Sequence, residues 1–185
     1  MSGADLSRVM QINPKTAQKL NRAFRLLTDS LKPRTLPGVS EWDESVFSKR
    51  WVLGGVSRDL RQCLLQCILN RTEDTLVPLV ERHSDPEGLV FTDEWSGYIN
   101  LARHMTVCHA REFTNSQAPF VHTNTQEGIW GHAKTLSWHT YRGFKKASLP
   151  QFLSETMFRY NFPDYDIRIS ALSALLTRKT NSHLV

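Results

Sequence analysis

Three acidic residues in this sequence, Asp43, Asp93 and Glu127, stand where carboxylates could do chemistry together. Asp43 sits in a strand-like run beside apolar Trp42, Val46 and Phe47. A carboxylate is disfavoured inside a strand and costly to bury unpaired. Asp93 directly follows Leu89-Val90-Phe91-Thr92, at the C-terminal end of a compact buried strand. In open α/β sheets that is the end where ligands gather. Each aspartate also has an ordinary explanation, since strand ends often carry turn-forming Asp. Glu127 belongs to the run from His122 to Lys134, HTNTQEGIWGHAK. On a helix turning ~100° per residue, Asn124, Glu127 and Lys134 fall within one quarter of the circumference, so one face presents an amide, a carboxylate and an amine. Seven positions separate Glu127 from Lys134, beyond the usual i,i+4 pairing distance. Trp130 is placed to seat the helix. Gly128 and Gly131 weaken it, and make better sense where backbone or a ligand approaches closely.

Two aspartates from strands and a glutamate from a helix would make a carboxylate cluster. Three such charges repel strongly unless divalent cations neutralise them. All-oxygen ligation selects Mg²⁺, with Mn²⁺ as a substitute, over zinc. A pair of these ions about 3.5–4 Å apart clamps the attacking and leaving oxygens of an in-line phosphoryl transfer. The expected metal ligands are therefore Asp43, Asp93 and Glu127, spaced 50 and 34 positions apart.

These residues need a scaffold. Residues 6–31 read as helical, with Asn13 as a cap and Pro14 at a first helical position. Leu20, Phe24 and Leu27 recur at helical spacing among Lys15, Lys19, Arg22 and Arg25. Pro33 and Pro37-Gly38 end that segment as a linker. Three strands follow at 39–47, 51–58 and 62–69, joined by connections short enough for antiparallel hairpins. A helix is expected over 72–83, a buried strand over 89–92, a brief helix over 96–103 and a fifth strand over 105–108. After a polar loop from His109 to His122, helices are expected over 123–137, 149–161 and 167–176. The reading is an α/β fold with a mixed five-stranded sheet, its first three strands antiparallel, flanked by helices.

The chain has 185 residues, 40% hydrophobic and 22% charged, which is ordinary globular usage. Twenty-three Lys and Arg against 18 Asp and Glu give a formal charge of +5, a balance that favours polyanions, nucleic acid among them. Cys63, Cys67 and Cys108 are too few and too scattered for a disulfide framework, and no C-x-x-C pair marks a zinc knuckle. Cys63 and Cys67, four apart in a strand, share a face and read as core. No signal peptide or membrane span is expected, so the protein should not be secreted and should have no membrane partner. It would work in the nucleus of a eukaryote or the cytoplasm of a bacterium.

In order and spacing, these motifs resemble a DDE transposase, of the Merlin group and its bacterial ISXO-like insertion-sequence relatives. Asp43-Glu44-Ser45 with Phe47 is similar to the family's DES-x-F strand, and Trp51-Val52-Leu53-Gly54-Gly55-Val56 to its W-V-x-G-G-[IV] strand. Asn70-Arg71-Thr72 and Leu76 follow, and Thr92-Asp93-Glu94-Trp95 with Tyr98 resembles S-D-x-W-x-x-Y. His122-Thr123-Asn124, Glu127-Gly128, Trp130 and Lys134 resemble H-T-N-x-x-E-G-x-W-x-x-x-K. Phe152, Met157, Arg159 and Phe162 fit the closing helix. The resemblance spans about residues 11–163, without the N-terminal zinc ribbon that full-length relatives carry.

That resemblance implies an RNase H-like fold and Mg²⁺-dependent cleavage at element ends with strand transfer into target DNA. It implies that Asp43, Asp93 and Glu127 hold the metals, while Asn124 and Lys134 orient the scissile phosphate or stabilise its charge. The expected organisation is a helical segment and linker over 1–36, resembling the end of a helix-turn-helix, then a catalytic domain over 37–163 and a helical tail over 164–185. Arg142, Lys145 and Lys146, with Tyr141 and Phe144 between them, would suit a DNA-backbone groove, or form a solvated loop. His109 and His122 flank the polar loop and either contact DNA or the active site, or serve as hydrogen-bonding structural residues. DNA is the expected partner, with a homo-oligomer as a further possibility. The alternatives are a catalytically inactive or host-adopted DNA-binding descendant, and a plain RNase H-like nuclease without strand transfer.

Overall fold

A computed structural model describes residues 3–107, 122–141, 146–171 and 173. The chain divides into two compact units, one of residues 33–150 and one of residues 1–32 with 151–185.

In the larger unit, β1 (Ser40–Phe47), β2 (Arg50–Ser57) and β3 (Gln62–Ile68) form an antiparallel meander. The β1–β2 turn is Ser48-Lys49, both left-handed at φ 49° and 62°. That pair of positive angles gives the turn whose twist matches the flanking strands. After α3 (Glu73–His83), β4 (Val90–Asp93) lies parallel to β1, and β5 (His104–Val107) lies parallel to β4. The sheet order is β3-β2-β1-β4-β5, the expected mixed five-stranded sheet with its first three strands antiparallel. Then come α4 (Asn124–Tyr141) and, across the division between units, α5 (Leu149–Asn161).

The two faces of β1 separate the tasks of the sheet. Trp42 is fully buried in a core with Leu53, Leu64, Leu76, Val80 and Tyr98, on the α3 side. Asp43, one residue on, points to the α4 side. The paired glycines of β2 follow the same alternation. A Cβ at Gly55 would stand 2.7 Å from the Trp42 ring, and one at Gly54 would stand 2.5 Å from the Trp130 ring. Each glycine thus admits one tryptophan to its own face. The W-V-x-G-G run is a packing device.

In the smaller unit, α1 (Gly3–Met10) and α2 (Pro14–Asp29) replace the single helical reading of 6–31. Gln11 at φ 51° breaks the chain, and Asn13 caps α2 as expected, its side chain accepting from Lys15 N at 2.8 Å. Phe24 meets Phe158 edge to face at 5.6 Å, and Arg25 pairs with buried Glu155 at 3.1 Å. Residues 165–171 are helical. The expected helix over 96–103 shrinks to a 3-10 turn at Ser96–Tyr98, because Tyr98 is drawn wholly into the core. Among the described residues, no helix is long and apolar enough to cross a membrane.

Candidate active site

The parallel pairing of β1 with β4 runs Ser40 to Val90 and Glu41 to Phe91, a constant offset of 50. The same offset of 50 separates Asp43 from Asp93, the last residue of β4, two residues beyond the last paired positions. Glu127 comes from the first turn of α4, which packs on β1 and β2. The Asp43 carboxyl is raised from 3.8 to about 6, first by burial and then by the negative charges of Asp93 and Glu127. Two hydrogen bonds oppose that rise, from Glu44 N at 2.7 Å to Oδ1 and from Trp130 Nε1 at 3.0 Å to Oδ2. Asp93 Oδ1 accepts from Trp95 N at 3.0 Å.

Carboxylates are the donor chemistry that a hard divalent cation takes. The candidate donors are all carboxylate oxygens, and the charges act on one another strongly enough to be felt at Asp43. As folded here, no group of three His, Cys, Asp or Glu among the described residues is already arranged to hold an ion.

Asn124 and Lys134 lie on the exposed side of α4 with Glu127, as the helical spacing predicts. Gly128 and Gly131 share that side, and a Cβ at either would meet nothing within 4 Å. The expectation that backbone approaches them closely is therefore not met among the described residues. The opposite side of α4 presses Ile129, Trp130 and Ala133 into the unit. Trp130 both packs against Phe47, at 5.7 Å between rings, and holds Asp43.

Glu41 had no place in the sequence reading and is the best-bonded carboxylate of the site. Its side chain is fully buried. It accepts from Thr125 N at 2.8 Å, Gln126 N at 3.0 Å, Thr125 Oγ1 at 2.8 Å and Arg58 Nε at 2.6 Å. A carboxylate at the start of α4 satisfies N–H groups that the helix leaves open and complements its positive end. Glu41 therefore fixes the turn that carries Glu127, two residues along β1 from Asp43. Arg58 is itself held by His122, whose Nδ1 and carbonyl oxygen lie 2.6 and 2.9 Å from Nη2. His122 thus hydrogen-bonds at the buried Glu41–Arg58 pair. The signal that could have found Glu41 is its two-residue spacing from Asp43, which puts both on one face of a strand. The fully buried Gln126 amide has no hydrogen-bond partner among the described residues.

Glu44 projects to the α3 side, where the Tyr98 hydroxyl donates to it and Arg71 lies 3.6 Å away. Burial pushes its carboxyl up to about 7, with Asp43 and Asp93 adding to the rise. Beside Asp93, burial holds the His104 imidazole below its ordinary value, and its Nε2 lies 2.6 Å from Thr92 Oγ1. Cys63 is buried as expected and Cys67 half-buried. His109, Cys108, Arg142, Lys145 and the side chain of Lys146 lie outside the described residues.

A family model described as the ISXO2-like transposase domain matches residues 41–161, a span that holds Asp43, Asp93 and Glu127. The chain is also similar to an uncharacterized transposase-like protein of Haemophilus influenzae (strain ATCC 51907 / DSM 11121 / KW20 / Rd). The two are 24% identical over 106 residues, covering 55% of this chain and 83% of that protein. Among solved structures, the catalytic core domain of BIV integrase aligns at a TM-score of 0.43 and 11% identity, over 76% of this chain and 97% of that one.

Proposed function

The chain belongs to the ISXO2-like transposase domain family, and we propose that its larger unit cuts DNA phosphodiesters and transfers the strand, using Mg²⁺. The observation that supports this reading is that Asp43 and Asp93 lie on adjacent parallel strands, and that the charges of Asp93 and Glu127 both act on the Asp43 carboxyl. Asp43, Asp93 and Glu127 would hold the metal, with Mn²⁺ able to replace Mg²⁺. When bound, the ions supply positive charge to the attacking and leaving oxygens of the phosphodiester. The chain's own residues do the rest. Trp130 fixes the rotamer of Asp43, Glu41 fixes the first turn of α4, and Lys134 offers a cation to the transferring phosphoryl group. Asn124, on the same exposed side, orients the phosphate through its amide.

DNA is the substrate and partner on this reading, as transposon ends and as target, and the active form would be a homo-oligomer. The basic connector Arg142, Lys145 and Lys146 would follow the DNA backbone. The DES-x-F and H-T-N motifs support a Merlin-type kinship.

Nicking of supercoiled plasmid tests the reading. Wild-type protein should cut in Mg²⁺ or Mn²⁺, and Asp93→Asn should lose the activity. A second reading, a DNA-binding descendant without turnover, is favoured by one observation: both Asp43 oxygens are already hydrogen-bonded, to Glu44 N and Trp130 Nε1. Retention of DNA without cutting, in wild type and variant alike, would establish that second reading.

A further inference from the structure

Arg71 follows β3, in the short connection to α3, and its backbone is held from both sides. Asn70 Oδ1 accepts from Thr72 N at 3.2 Å, Thr72 Oγ1 at 2.8 Å and Thr75 Oγ1 at 2.6 Å, which fixes the turn into the helix. On the other side, Trp95 Nε1 donates to the Arg71 carbonyl at 2.8 Å. A Cβ at Gly97 would come within 2.7 Å of that same carbonyl oxygen, so the β4 exit is pressed against it.

The side chain is held as firmly. Its guanidinium lies 4.2 Å from the centre of the Trp51 ring and 4.0 Å from that of Trp95. Stacking of this kind suits the flat, delocalised guanidinium better than an ammonium. Its charged neighbour is Glu44, at 3.6 Å from Nη1, which is longer than the roughly 2.7–3.2 Å of a hydrogen bond. A guanidinium carries five N–H donors. Among the described residues, those of Arg71 make no hydrogen bond, while the side chain keeps 29% of its surface exposed. The fold therefore restrains this cation and leaves its donors toward solvent.

Its position is specific. Trp95, which stacks on the guanidinium, also donates its backbone N–H to Asp93. Glu44, which faces the guanidinium, is next to Asp43 in β1 and feels the charges of both Asp43 and Asp93. One tryptophan thus links Arg71 to the carboxylate site on the β4 side, and one glutamate links it on the β1 side.

We propose that Arg71, clamped between Trp51 and Trp95, is a phosphate-binding residue that grips the DNA backbone beside the Asp43–Asp93 carboxylates. A planar fork of free N–H donors matches two phosphate oxygens at once. Because the two rings restrain the side chain in advance, little rotamer freedom is lost when phosphate arrives. The proposal rests on the reading of this domain as one that acts on DNA, but it concerns binding and not cutting.

The test uses the full chain, a fluorescent duplex, and anisotropy titrations over a series of salt concentrations in EDTA. Removing one phosphate contact lowers the slope of log affinity against log salt by about 0.9. Arg71→Gln should show that fall and bind about tenfold more weakly at moderate salt. Arg71→Lys should keep the slope and lose affinity severalfold, because it retains the charge without the fork. An Arg71→Gln protein that folds and keeps both wild-type slope and affinity would overturn the proposal, even if it is less stable, since a purely structural Arg71 changes stability alone. Should Arg71→Gln fail to fold, wild-type protein decides. Duplex DNA should shield Arg71 from an arginine-specific dicarbonyl reagent, mapped by mass spectrometry, and equal labelling with and without DNA would overturn the assignment. A protein that shows the slope change yet never nicks plasmid would retain Arg71 as a DNA contact while losing the catalytic reading.

Discussion

Gly54→Ala adds one methyl group at the contact between the sheet and the helix that carries Glu127. The new Cβ would stand 2.2 Å from Gln126 Nε2 and 2.5 and 2.6 Å from two carbons of the Trp130 ring. Ordinary carbon contact begins near 3.5 Å, so helix and sheet must part by roughly 1 Å. Trp130 cannot yield alone, because its ring is packed on Phe47 and its Nε1 is bonded to Asp43. Overpacking of this kind costs about 1–3 kcal/mol, while replacing a strand glycine by alanine returns about 0.5–1 kcal/mol of backbone entropy. The net is a loss of up to about 2.5 kcal/mol, centred on about 1–1.5 kcal/mol. With a urea slope of roughly 2 kcal/mol per molar, the unfolding midpoint should fall by about 0.5–0.75 M at unchanged slope. Gly128→Ala supplies the opposite control. Its Cβ meets open space on a helix, so the midpoint should rise, by the equivalent of about 0.5–1 kcal/mol. An unchanged or raised midpoint for Gly54→Ala would refute the claim that Gly54 exists to seat Trp130 over Asp43.

Two further outcomes follow from the buried acids. Glu41→Ala leaves the Arg58 guanidinium and the first N–H groups of α4 without their shared acceptor, and should cost about 3–5 kcal/mol by chemical denaturation. A cost below 1 kcal/mol would show that Glu41 does not hold that turn. Glu44 gives a pH dependence: its carboxyl rises from 4.5 to about 7 on folding, so the stability it contributes is full below pH 4.5 and lost as pH climbs through 7. At 1.36 kcal/mol per pH unit this is on the order of 3 kcal/mol, and a pH series of urea midpoints should be flatter by that amount in Glu44→Gln. A variant with the wild-type pH profile would contradict it.

What the sequence made legible was whatever depends on short-range pattern. The antiparallel strands, the Asn13-Pro14 start of α2 and the exposed placement of Asn124, Glu127 and Lys134 all follow from periodicities and cap chemistry within a few residues. The 50-residue spacing of Asp43 and Asp93 equals the offset of the β1–β4 pairs Ser40–Val90 and Glu41–Phe91. What stayed hidden depends on meetings between distant segments. Glu41 reads as one more strand acid until α4, 84 residues away, brings its N–H groups to it. The Arg71 sandwich needs Trp51 and Trp95, from two different parts of the chain, on either side of one guanidinium. Tyr98 shortens its helix to a 3-10 turn because the core takes its ring, a demand that local propensity does not register. The glycines divide in the same way, for Gly54 answers to Trp130 while Gly128 and Gly131 answer to nothing within the described residues.

The central claim is that Asp43, Asp93 and Glu127 form one cation site. It is tested most directly by diffusion of Mn²⁺ into crystals of the protein, followed by an anomalous difference map. Manganese density should bridge the carboxylate oxygens of all three residues and vanish in Asp93→Asn. Manganese bound only elsewhere at saturating concentration, or bound to these residues equally well in the variant, would contradict it.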